Sequence, residues 1–137
     1  MIKSLFIILL LLGVNYSSAN SKVSTRSIKW YGDYEKALLL AKKQNKPIML
    51  FIRKKNCSEC KKMITSTFLN QDYIKMINEK YISIIATYEG KNDYPIEIFY
   101  TRNFPATFFI RSEDQSFLFD PIIGYIEAEN FKEIITQ

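Results

Sequence analysis

The stretch Pro47-Ile48-Met49-Leu50-Phe51-Ile52-Arg53-Lys54-Lys55-Asn56-Cys57-Ser58-Glu59-Cys60 decides how this chain is read. Ile48 to Ile52 is an apolar run without alternation, the pattern of a central strand covered on both faces. A short basic connection then leads to Cys57 and Cys60, the only cysteines in 137 residues. Beyond them Cys60, Met63, Ile64 and Thr67 keep helical spacing, with Phe68 on the same side. A strand that delivers two thiols to the first turn of a helix is a redox arrangement.

Outward from this centre, the pattern alternates. Ile28 to Tyr31 reads as a short strand, and Gly32-Asp33 as a turn whose Asp side chain can cap a helix. Tyr34, Ala37, Leu38 and Ala41 recur at helical spacing to about Asn45, and Pro47 forbids continuation. After the cysteine helix, Asn70-Gln71-Asp72 predicts a break, and Ile74, Ile77 and Asn78 a further helical turn or two. Tyr81 to Thr87 is rich in β-branched residues and reads as a buried strand. Glu89 to Asp93 is a loop, and Pro95 to Tyr100 is assigned a short helix. Ala106 to Ile110 is a strand by composition; Phe117 to Phe119 is its expected hairpin partner across the polar turn Ser112 to Gln115. Gly124 marks a loop, and Ala128, Phe131, Ile134 and Ile135 form the apolar face of a closing helix. The early alternation implies a parallel centre with crossover helices, and the late strands add antiparallel edges. The expected fold class is α/β, a mixed central sheet with helices on both faces.

The chain has room for one domain, and its 47% apolar and 15% aromatic content argues against disorder. Residues 1–19 read as a signal peptide: Lys3 is a positive start, Leu5 to Leu12 an apolar block, and Ser17-Ser18-Ala19 a small-residue exit with cleavage after Ala19. An uncleaved anchor is the alternative, but the block is shorter than the roughly 20 residues a span needs. Residues 20–27 are polar and read as a flexible lead-in, leaving 28–137 as the domain.

Export shapes the reading of the cysteines. In an oxidising compartment two cysteines often make a structural bridge. A bridge between residues three apart closes a tiny loop and removes little entropy from the unfolded chain, so a catalytic dithiol is favoured. Helix N-termini present unpaired amides and partial positive charge, which stabilise a thiolate. Cys57, at that end, is the expected nucleophile, and Cys60, one turn further in, the resolving thiol. Lys54, Lys55, Lys61 and Lys62 favour the Cys57 thiolate, whereas Glu59 opposes it.

The formal charge is +5, or +4 without residues 1–19, which carry one Lys and no acid (18 basic minus 14 acidic). Basic residues occur in short clusters separated by apolar positions, and with export this argues against nucleic acid as a partner. Trp30, Tyr31 and Tyr34 are expected mainly in the core, since aromatics dominate burial.

From Ile28 to Ile135 the chain resembles the thioredoxin superfamily, particularly its exported branch of periplasmic disulfide reductases and soluble DsbD-type domains. The resemblance rests on Trp30-Tyr31-Gly32-Asp33-Tyr34-Glu35-Lys36-Ala37, on Ala41 to Ile48, on the Cys-X-X-Cys after the second strand, and on Phe104-Pro105-Ala106-Thr107. It implies a thioredoxin-like fold and a cis Pro105 facing the cysteine pair, with Phe104, Pro105 and Asn56 contacting substrate. Ser58 and Glu59, between the cysteines, would tune the redox chemistry. It also implies service as a disulfide reductase or exchange enzyme for client proteins, a membrane electron donor, no cofactor, no metal, and a monomer in the periplasm or an equivalent exported compartment.

Three residues depart from the family pattern. Asn56 stands where many relatives have Trp, Ser58-Glu59 is not the Gly-Pro of thioredoxins, and Phe51 stands six residues before Cys57, where thioredoxins proper place a buried Asp. Handling of the Cys60 proton would then fall to water or another carboxylate such as Glu59. Two other readings stay open: a Cu(I)-binding protein using the two thiolates, and a dedicated redox partner, for example in cytochrome maturation. Zinc fits less well, because the chain has no His and only two Cys.

Overall fold

The computed structural model describes residues 26–90 and 94–137. The expected signal peptide and residues 20–25 of the lead-in lie outside the described residues. At its described end, the lead-in carbonyls of Arg26 and Ser27 accept hydrogen bonds from Gln71 Nε2 and Asn78 Nδ2, both 3.0 Å.

Five strands form one sheet in the order β1-β3-β2-β4-β5. They are β1 (Trp30–Tyr31), β2 (Ile48–Arg53), β3 (Ile82–Thr87), β4 (Ala106–Ile110) and β5 (Ile122–Ile123). β3 runs parallel to β1 and β2, whereas β4 is antiparallel to β2 and β5 to β4. The helices are α1 (Tyr34–Gln44), α2 (Ser58–Thr65), α3 (Gln71–Lys80) and α4 (Ala128–Ile135), with a 3₁₀ turn over Thr67–Leu69.

The uninterrupted apolar run of β2 is explained by its two covered faces. Ile48, Leu50 and Ile52 join Tyr34, Ala37, Leu38 and Ala41 of α1 in one core cluster. Met49 and Phe51 point the other way, into a cluster with Met63 of α2, Tyr73, Ile74 and Ile77 of α3, and Phe131 and Ile135 of α4. Full burial of one such side chain contributes about 1.5–3 kcal/mol, so this strand anchors both layers. Its C-terminal end, at Arg53, is where the chain turns toward the cysteines.

Local signals set the helix ends. Asp33 caps α1, its Oδ1 accepting from Lys36 N at 3.0 Å. Asn45 ends that helix in the left-handed region (φ 52°), and Lys46 N reaches back to Ala41 O at 2.9 Å. Asn70 caps α3 by accepting from Asp72 N. Of the three aromatics expected in the core, Tyr34 is buried and its hydroxyl donates to Gln115 Oε1, while Trp30 and Tyr31 are half-buried.

Three details differ from expectation. The segment after Asn70 is a full ten-residue helix rather than a turn or two. Pro95 to Tyr100 forms a single turn, closed by Ile98 N and Phe99 N on Pro95 O, and not a helix. Phe99 is pulled into the core, and Thr101 Oγ1 bonds to Asn103 O, which halts further winding. Among the described residues, the backbone of Phe117 to Phe119 pairs with β4 through the Ile110–Phe117 bridge and the Leu118 N–Phe109 O bond and forms no regular strand. A strand would send residues 117 and 119 to one face. Here Phe117 packs on Phe99 and Phe108, and Phe119 on Phe109, which belongs to the opposite cluster. The edge strand is instead β5, which pairs Ile122 and Ile123 with Thr107 and Ala106.

Candidate active site

Cys57 is the N-cap residue of α2, with extended backbone (φ −101°, ψ 107°). Its Sγ accepts from Cys60 N at 3.1 Å, and its carbonyl accepts the first helical bond from Lys61 N at 3.1 Å. The sulfur thus takes the position that a Ser or Asp oxygen fills at other helix starts. Cys57 and Cys60 are disulfide-bonded, S–S 2.05 Å with Cα atoms 5.2 Å apart. Their surroundings differ: Cys57 is half-buried in the surface, whereas Cys60 is 2% exposed. Cys57 is therefore the more exposed of the two residues.

The connection from β2 to α2 is held at both ends. Tyr88 N donates to Arg53 O at 2.8 Å, extending the β2–β3 pairing. Lys55 N then donates to both carboxylate oxygens of Glu89, at 3.2 and 3.0 Å. Asn56, next in line, sits in the left-handed region at φ 55°, where Asn is tolerated far better than a bulky residue. This backbone demand is a local reason for Asn56.

At Glu89, desolvation pushes the carboxyl up, but the Lys55 amide bonds and the charges of Lys54 and Lys55 outweigh it and hold the group below its ordinary 4.5. A carboxylate with a lowered folded-state pKa contributes fully above the ordinary value and loses its contribution as pH falls through the folded value. The Lys55 tether is therefore intact at neutral pH and is lost as pH falls through the folded-state value, below 4.5. The Lys55 amide proton, followed by NMR through an acid titration, is expected to shift with a midpoint below 4.5; a midpoint above it would contradict the tether.

On the other side of the cysteines, the Phe104–Pro105 peptide is cis, the isomer the resemblance implies. Pro105 is buried, and its carbonyl accepts from Gly124 N at 2.7 Å, with Gly124 at φ 89°. That bond brings the end of β5 beside the site. Phe104 is half-buried against Tyr88, ring centroids 5.0 Å apart, with Lys54 Nζ 5.8 Å from its ring centroid.

Two cavities meet at Cys57. One, of about 1000 Å³, is lined by Asn56, Cys57 and Glu59 together with Phe104, Ile123 and Glu89. The second, of about 710 Å³, is lined by Asn56, Cys57, Ser58 and Cys60 together with Lys61 and Ile64. The structure thus gathers Asn56, Cys57, Ser58, Glu59, Cys60 and Phe104 around two cavities that share Asn56 and Cys57. Pro105 lines neither cavity and lies behind Phe104. Phe51 is fully buried against Phe68, ring centroids 4.8 Å apart, so an apolar ring occupies that core position.

Sequence reading missed Glu89, Arg102 and the β5 end at Ile123 and Gly124. Glu89 bonds a residue 34 positions away, and no local spacing announces such a contact. Ile122-Ile123-Gly124 did carry a signal, a β-branched pair followed by a glycine, but two residues are too few to stand out.

A mixed sheet with helices on both faces, and a Cys-X-X-Cys disulfide at a helix N-terminus beside a cis-proline loop, define a thioredoxin-like protein with a redox-capable dithiol. Solved structures agree on the fold. A thioredoxin from Thermus thermophilus superposes with a TM-score of 0.70 at 16% identity, covering 81% of this chain and 86% of that one. A DsbH oxidoreductase gives 0.66 at 19% identity, covering 84% and 87%. The C-terminal domain of Neisseria meningitidis DsbD in its oxidised form gives 0.59 at 23% identity, covering 76% and 90%. The chain belongs to the Thioredox_DsbH family, described as a protein of unknown function (DUF255), whose model matches residues 12–117. Spermatogenesis-associated protein 20 of Rattus norvegicus and of Mus musculus are each 32% identical over 66 residues, 48% of this chain. The chain spans only 8% of the length of these curated relatives.

Proposed function

We propose that this chain is an exported thiol-disulfide oxidoreductase that reduces or exchanges disulfides in client proteins. The observation that carries this reading is the unequal environment of the two sulfurs, Cys57 open at the helix tip and Cys60 buried behind it. In the reduced protein the Cys57 thiolate attacks one sulfur of a client disulfide. A mixed disulfide forms, and the client's other sulfur leaves as a thiolate that takes up a proton. Cys60, deprotonated, then attacks Cys57 Sγ, re-forming the Cys57–Cys60 bond and releasing the second client thiol. Two electrons pass from the dithiol to the client, and a separate dithiol donor must restore them.

The remaining assignments belong to the same proposal. Residues 1–19 direct export and are removed, and residues 28–137 form the working domain. The electron donor is a membrane-held dithiol protein. Phe104 supplies an apolar wall to the client groove; its backbone has no hydrogen-bond partner among the described residues, which leaves it open to pair with an extended client segment. Asn56 borders the same groove, Pro105 shapes the loop that presents Phe104, and Ser58 and Glu59 set the charge and exposure of the turn between the sulfurs.

The direct test is insulin reduction with dithiothreitol as the electron source. The wild-type protein is expected to shorten the time to precipitation of the insulin B chain. A time course that matches dithiothreitol alone, at any protein concentration, would end the enzyme reading.

A further inference from the structure

The two cavities that meet at Cys57 differ in charge. The one on the α2 side is lined by four cationic side chains, Arg53, Lys54, Lys55 and Lys61, and by no carboxylate. Among the described residues, none of the four forms an ion pair. The cavity on the Phe104 side mixes signs, with Glu59 and Glu89 set against Lys54, Lys55 and Arg102.

In the reduced protein these cations can favour the Cys57 thiolate, but they line the cavity in the oxidised form as well. In the oxidised form Cys57 carries no charge, and the lining of this cavity is then cationic without a carboxylate, Glu89, which interacts with Lys54 and Lys55, lying in the adjoining cavity. Like charges held together at a concave surface focus a field that attracts an anion. Such complementarity governs which partner docks and how fast.

Resting on the oxidoreductase reading above, we propose that the α2-side arm selects client segments bearing several Asp or Glu residues on one side of the target cystine. The cavities share Lys54, Lys55, Asn56 and Cys57 and so form one trough with the reactive sulfur midway along it. A polypeptide crossing that sulfur fills both arms. Its acidic flank lies along Lys61 and Arg53, and its other flank lies against Phe104 and Ile123.

The test uses the full protein, reduced beforehand, and peptides that share one cystine loop but carry a flank of Asp, of Asn or of Lys. Single-turnover reduction of the Asp peptide is expected to exceed that of the Asn peptide by about tenfold at low ionic strength, within the range of electrostatic steering. The advantage should vanish near 1 M salt, where screening shortens to about 3 Å. Lys61→Glu, at an exposed helical position, is expected to reduce the Asp-to-Asn ratio in low salt. If that variant misfolds, the salt series on the wild type still decides. Equal rates for Asp and Asn peptides in low salt, with both above background, would overturn acidic recognition and leave the oxidoreductase reading standing. Reduction of no peptide would remove both. Glutathione disulfide reduced as fast as the Asp peptide, with the same salt dependence, would overturn the polypeptide as the occupant.

Discussion

Cys57→Ser is expected to abolish catalysed disulfide exchange, a loss on the order of a thousandfold or more, as when a nucleophile is removed from other enzymes. Cys57 is the more exposed of the two cysteines, Cys60 is 2% exposed, and the chain has no third cysteine to substitute. Cys60→Ala should behave differently. It retains the attacking sulfur and lacks the one that resolves the mixed disulfide, so a covalent client adduct should accumulate. Non-reducing electrophoresis after mixing with a disulfide-bonded client reads both outcomes. Adducts in Cys57→Ser and none in Cys60→Ala would reverse the assigned roles.

The second large effect concerns the floor beneath the active helix. Phe51 is fully buried on the face that α2, α3 and α4 cover, with its ring edge-on to Phe68 and 6.0 Å from the Trp30 ring. Phe51→Ala is expected to lower stability by about 3–5 kcal/mol, a large part of the margin of a domain this size. Phe51→Asp should be worse, since it adds an unpaired carboxylate to an apolar cluster. Urea unfolding measures both. A loss under about 1 kcal/mol for Phe51→Ala would mean that the floor is less tightly packed than the ring contacts imply. The consequence for function follows from packing: Met63 of α2 shares this cluster, so loosening it unseats the helix that presents Cys57.

How much of this was legible in the sequence depended on how far each feature reached. β2, α1 and the cysteine helix announce themselves through residues a few positions apart: an apolar run, 3.6-residue periodicity, an Asp cap, an Asn terminus. The cysteine pair is local too, and its place after a strand followed from those same patterns. The errors fell where tertiary packing overrides local preference. Phe117 and Phe119 have strand composition, yet their rings go to opposite faces of the sheet, which no regular strand permits. Pro95 opens a helical turn that cannot grow, because Phe99 is drawn into the core. At the site, Glu89 and Gly124 reach Lys55 and Pro105 only after the sheet has formed. Their roles are written in the topology rather than in any spacing. Asn56 is intermediate: the sequence marks it as unusual beside the cysteine, and only its positive φ gives the reason.

The central claim is the inequality of the two sulfurs, and alkylation tests it without reference to any client. The fully reduced wild-type protein would be treated under native conditions at neutral pH with a limiting amount of iodoacetamide, then digested and mapped by mass spectrometry. The account predicts label on Cys57 with Cys60 protected until denaturant is added. Equal labelling of the two residues, or Cys60 labelled first, would contradict it.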